Sequence, residues 1–177
     1  MSYATPDMAL LNAGRLMQEG GASMVNLECG AVPLQTVKHL TSQELPVCGP
    51  LGLLPQSIHQ LGSYKVQGKD HNQSEQIRKD ALALQEAGAQ MLVLECIPSE
   101  LAKLVTAELS IPVIGIGGIS CAEDALEFLI AGASAVQVGT ANFTHPPTAV
   151  ETAAGIKAFL KEKGLTKVSD LVGTVDA

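Results

Sequence analysis

Three stretches of the chain share one order of apolar and polar positions: QEGGASMVNLECG (18–30), QEAGAQMLVLECI (85–97) and FLIAGASAVQVGT (128–140). Each closes an amphipathic run, passes through a glycine able to take positive φ, adds a small residue and enters a short apolar run. That order predicts a helix end joined to a buried strand, used three times. Two further short apolar runs follow prolines, PVCGPLGL (46–53) and PVIGIG (112–117), and proline is tolerated at the opening residue of a strand. Apolar spacing of three and four predicts helices over 7–20, 33–42, 72–87, 98–108, 121–131 and 148–163.

Five strands thus alternate with helices, with one extra helix in front. Alternation of this kind predicts a parallel sheet with helical crossovers, and runs apolar on both faces, such as MLVL and PVIGI, agree. The expected fold class is α/β: a partial TIM barrel of five parallel βα units, in one domain spanning 1–177. The alternative is an open, doubly wound sheet of the Rossmann or flavodoxin kind, because a closed eight-stranded barrel usually takes about 250 residues. A half barrel leaves unpaired edge strands and an uncovered apolar face. Pairing of two copies through those edges as a homodimer would bury both, and the helix at 7–20 could cover one face.

Composition narrows the function classes. With 46% hydrophobic residues and mean hydropathy +0.24, the 177-residue chain can bury roughly two thirds of its unfolded surface without a staple. A net charge of −7, with 11 Lys and Arg scattered, offers no basic stripe to nucleic acid. No apolar run approaches the roughly 20 residues of a membrane span. Met1 leads into the polar SYATPD rather than a basic and apolar leader, and Cys29, Cys48, Cys96 and Cys121 lack C-x-x-C spacing. The expectation is a cytoplasmic protein with buried free thiols. His39, His59, His71 and His145 have no ligand spacing, so no metal site is expected. SYKVQGKDHNQS (63–74) reads as a mobile polar loop, with Lys65 and Lys69 as solvated charges.

The stretches MSYATP, PVCGPLGLLPQS, GSYKVQGKD, DALALQEAGAQMLVLECIPSELAKLVT and IPVIGIG make residues 1–117 resemble ketopantoate hydroxymethyltransferase, a (β/α)8-barrel enzyme. The resemblance implies that MSYATP lies just after the third barrel strand. It also implies that Glu95 stands at the place of a general base and Glu28 at a carboxylate near the magnesium site. The two metal-binding aspartates of that family belong to strands two and three, ahead of the matched region. Three positions depart from the pattern: a lysine is replaced by Asn26, the histidine of GHLGL by Pro50, and EGG reads Glu28-Cys29-Gly30.

From Gly118 onward, GISCAEDALEFLIAGASAVQVGTANF resembles the last two βα units of FMN-dependent dihydroorotate dehydrogenases, a likeness taken over 112–177. This implies a cradle for phosphate, or for the phosphate of FMN, made by Gly117, Gly118 and Ile119 at one strand end and Gly139 and Thr140 at the next. Ser120 and Glu123 also spell an S-x-x-E capping box. The two resemblances divide the domain into 1–111 and 112–177, with IPVIGIGG as a seam. Together they lead to the expectation of an engineered chimeric scaffold without catalytic activity. It would require no cofactor and weakly hold FMN or another phosphate-bearing small molecule. The alternative is a hydroxymethyltransferase-like enzyme acting on a 2-ketoacid with a folate one-carbon donor.

Overall fold

The structure, a computed structural model, describes residues 3–27, 34–53 and 65–175. Helix α1 (Pro6–Gln18) leads into β1 (Val25–Asn26). Then α2 (Leu34–Thr41), β2 (Val47–Gly52), α3 (His71–Glu86), β3 (Met91–Glu95), α4 (Ser99–Glu108), β4 (Val113–Ile116), α5 (Ala122–Ala131) and β5 (Ala135–Gln137) alternate. The short α6 (Ala141–Thr144), α7 (Thr148–Glu162) and a 3-10 turn at Val168–Asp170 follow. All five strands are parallel and lie side by side in chain order.

That order decides between the two expected architectures. A doubly wound sheet reverses its strand order at a switch point and carries helices on both faces. Here the order never reverses, and the core joins one face of the sheet to the helices. Val25, Val47, Leu51, Leu92, Leu94 and Val113 from the strands meet Val37, Leu40, Ile77, Leu84, Leu101 and Val105 from α2, α3 and α4. The sheet is therefore a curled half barrel, and the open-sheet alternative is set aside. Its opposite, concave face carries half-buried Pro50, Val93, Glu95, Ile114 and Ile116, with Cys48 buried and Asn26 exposed.

The three αβ joints close as their glycines dictate. Gly21, Gly88 and Gly132 take φ of +68, +93 and +126. After two of them the next N–H turns back to a carbonyl five residues earlier, Ala89 to Leu84 at 3.0 Å and Ala133 to Phe128 at 2.9 Å. Threonines on the preceding helices tie the last two joints down. The Thr41 hydroxyl donates to the Ala87 carbonyl at 2.8 Å, and Thr106 reaches Ala131 at 3.5 Å. Between α3 and α4, Arg78 pairs with both Glu75 and Glu108.

Two expectations need correction. Residues 65–70 of the polar stretch dock against the sheet: Gln67 N–H donates to the Cys96 carbonyl at 2.9 Å, and Gly68 is buried against Leu101 and Ile77. Asp70 then caps α3 through Gln73 N–H at 2.9 Å. The rest of that stretch before residue 65, with Glu28, Cys29 and His59, lies outside the described residues. Among the described cysteines, Cys48 is buried and Cys96 half-buried, but Cys121 is exposed, because it sits at the N-cap of α5 rather than inside a strand. No helix among the described residues is long and apolar enough to cross a membrane.

Candidate active site

Parallel registration lays the concave face out in transverse rows. At the carboxyl edge, Gly52, Glu95, Ile116 and Gln137 stand side by side on β2 to β5. The row beneath is Pro50, Val93, Ile114 and Ala135, and below that come Asn26, Cys48 and Met91. Alternation along β3 puts Glu95 on the same face as Val93, opposite the buried Leu92 and Leu94. A carboxylate thus stands at the rim of an apolar floor, with a residue lacking a side chain on one flank. Carboxyl ends of barrel strands are where this fold keeps its chemistry. Asn26 and Pro50, the described departures from the family pattern, also face this side.

Backbone conformation concentrates here. Gly52 takes φ +95, and a Cβ on it would overlap the Glu95 carbonyl oxygen. The close approach lets Leu53 N–H donate to that oxygen at 2.9 Å. Immediately after Glu95, Cys96 holds φ +54, a left-handed conformation that costs a non-glycine residue about 1–2 kcal/mol. Neither feature stands out from residue type alone, although the two glycines of GPLG mark β2 as unusual for a strand interior.

The cradle residues fall at the carboxyl ends of β4 and β5. Gly117 and Gly118 have φ of +105 and +73 with nothing within 4 Å of where a Cβ would stand, so their chain path demands glycine irrespective of any ligand. The side chain of Ile119 is buried. Gly139 is open, and Thr140 is the N-cap of α6, a helix of four residues. The anion that the start of α5 holds is its own. Asp124 Oδ2 accepts from Ser120 N–H at 2.8 Å, Ser120 Oγ at 2.8 Å and Cys121 N–H at 3.2 Å. These bonds, the Ser120 backbone N–H first, hold the Asp124 carboxyl below its usual range. The capping box is therefore Cys121 with Asp124, one residue beyond the Ser120 and Glu123 expected. Cys121 is not an activated thiol: the Asp124 backbone hydrogen bond lowers its pKa, but the Glu123 and Asp124 carboxylates outweigh it and raise it. Among the described residues no three His, Cys, Asp or Glu side chains converge.

Half of a parallel β/α barrel with a carboxylate at its carboxyl rim defines the class. The family model of ketopantoate hydroxymethyltransferase matches residues 1–141. The chain belongs to that family. It is 55% identical over 117 residues to the 3-methyl-2-oxobutanoate hydroxymethyltransferase of Nitrosococcus oceani and 59% identical over 117 residues to that of Shewanella denitrificans. Each match covers 66% of this chain and 44% of the relative, so the chain spans less than half the length of these enzymes. Among solved structures it resembles the Amycolatopsis orientalis BexX/CysO complex, with a TM-score of 0.61 at 20% identity over 94% of this chain and 68% of that one. It also resembles a native KDPGal structure, with a TM-score of 0.57 at 17% identity over 93% and 68%. At such identities these two likenesses concern the fold alone.

These findings correct the chimera reading. The family match extends past IPVIGIGG and ends beyond Gly139 and Thr140, which supports a fragment of one family rather than two joined parents. The matches do not show the dehydrogenase likeness over 112–177, Gly117 and Gly118 take the positive φ of a tight turn, and FMN is left without support. The identities to the two hydroxymethyltransferases likewise overturn the engineered, non-catalytic scaffold in favour of the enzyme alternative.

Proposed function

We propose that this chain carries the base-bearing part of a 3-methyl-2-oxobutanoate hydroxymethyltransferase, with Glu95 removing the proton from C3 of the 2-ketoacid. A hydroxymethyl group can be added at C3 only after that carbon loses its proton, and the adjacent ketone stabilises the resulting charge as an enolate. A positioned carboxylate is a fitting acceptor. The observation that carries the reading is the carboxyl-edge row, in which Glu95 stands between Gly52 and Ile116; the family resemblance implies the general-base role for it. Gly52 leaves room beside the carboxylate, and Pro50, Val93 and Ile114 beneath offer an apolar floor suited to an isopropyl group.

The resemblance also brings a divalent ion that polarises the ketoacid and a folate that delivers the carbon. The described residues do not fit the ion, since no three potential ligands converge among them, and no step is assigned to it. The test is consumption of 3-methyl-2-oxobutanoate with methylenetetrahydrofolate and magnesium, by the chain and by Glu95→Gln. The expected result is turnover that falls by about 100-fold or more in the variant. Equal turnover in both would remove Glu95 from the role, and no turnover by the unaltered chain at high protein concentration would reject the activity.

A further inference from the structure

A cavity of about 420 Å³ opens on the other side of the sheet, between β3 and β4 and the helices α4 and α5. Leu94, Val113 and Gly115 line it. Strand alternation sets them opposite Val93 and Ile114, so the cavity lies across the sheet from the floor those two form, while the strand-end residues Glu95 and Ile116 border it as well. Its origin is side-chain size. Towards α3 the same layer is filled by Leu84, Leu92, Leu101 and Val105, all buried. Towards α5 the facing positions are Gly115, Ala102, Ala131 and Ala133, with the Phe128 ring alongside.

Small-molecule sites run roughly 300–1,000 Å³ and are mostly apolar with a few placed polar groups, and this cavity meets both conditions. Its polar side chains are two carboxylates, the hydroxyls of Ser99 and Thr106 and the Cys96 thiol. The charged lining residues are Glu95 and Glu127, with no Lys or Arg among them. The Thr106 hydroxyl already donates to the Lys103 carbonyl at 2.9 Å, so it offers a ligand only oxygen lone pairs. Two carboxylates with no cation beside them disfavour an anion in this space and suit a ligand that brings its own N–H.

We propose that this cavity is a binding site for a small, largely apolar ligand that is neutral or singly cationic and carries an N–H donor, an aryl amine being the simplest case. N-phenyl-1-naphthylamine, a neutral aryl amine whose fluorescence rises on leaving water, is the probe. Titrated into the unaltered chain, it is expected to bind saturably at one site per chain. Ala102→Leu and, independently from the other wall, Ala131→Leu should each weaken binding at least tenfold while far-UV circular dichroism stays unchanged. Met91→Gln, on the concave face, should not weaken it. The sulfonated anionic analogue should bind at least tenfold more weakly than the neutral probe. Unsaturable binding, equal binding of the anion, or loss in Met91→Gln but in neither filled variant would overturn the proposal. The last outcome would place the probe on the concave face instead.

Discussion

Replacing Gly52 by Ala tests how tightly β2 and β3 join where Glu95 is seated. Gly52 holds φ +95, and a Cβ there would overlap the Glu95 carbonyl oxygen, with the Ile97 Cγ2 at 2.9 Å and the Glu95 carbonyl carbon at 3.1 Å. The obstacle is strand backbone, which cannot rotate aside as a side chain can. The left-handed conformation alone costs an L-residue about 1–2 kcal/mol. Parting the strand ends also breaks the 2.9 Å hydrogen bond from Leu53 N–H to Glu95, worth about 1 kcal/mol. The expected loss is about 3 kcal/mol, a large share of the roughly 5–15 kcal/mol that holds a domain folded. Gly164→Ala is the matched control: φ is +69 and nothing lies within 4 Å, so only the backbone cost of about 1–2 kcal/mol applies. Urea unfolding followed by circular dichroism measures both. If Gly52→Ala costs no more than Gly164→Ala, the close approach that seats Glu95 does not exist.

Leu92, fully buried at 0% exposure where β3 meets the helices, should lose about 2–5 kcal/mol on truncation to Ala, read by the same unfolding curves; a loss below 1 kcal/mol would mean that this layer is not packed as described. Burial pushes the Cys48 thiol from 9.0 up to about 11. The folded state therefore holds its proton while the unfolded state releases it, and that contribution is complete below pH 9 and is lost as pH rises towards 11. The fall in urea midpoint across that range should shrink in Cys48→Ala, and an unchanged fall would count against the burial. Asp124 has the opposite sign: its depressed pKa contributes stability above pH 3.8 that disappears as pH falls through the folded value. The gap in stability between the unaltered chain and Asp124→Ala should stay constant above pH 3.8 and narrow below it, whereas a gap independent of pH would show that the carboxylate is not what caps α5.

The alternation of helix and strand is legible in the sequence because three helix ends rest on glycine, at Gly21, Gly88 and Gly132, and left-handed φ leaves a compositional mark there. Where the chain reaches the same region without glycine, no mark exists. Glu44 closes α2 at φ +61, and Cys96 turns the chain after Glu95 at φ +54. The four residues of α6 are too few to show a helical period. Ser120 and Cys121 are both small and polar, so residue type alone does not say which opens α5. The bonds to Asp124 do. Glu95 can be picked out at a strand end from the pattern VLEC, but its flanks depend on register, and register places Gly52 and Ile116 beside it from strands 43 and 21 residues away along the chain. Gly117 and Gly118 show the reverse hazard, since the glycines of a tight turn and of an anion cradle are the same residues.

Loss of the C3 proton is the step assigned to Glu95, and it can be followed without the folate. The chain is incubated with 3-methyl-2-oxobutanoate in deuterium oxide, and the C3 proton signal is followed by NMR. Exchange should run faster than in buffer alone and fall to the buffer rate in Glu95→Gln with the fold intact. Exchange at the same accelerated rate in both proteins, or none above buffer in the unaltered chain, would contradict that assignment.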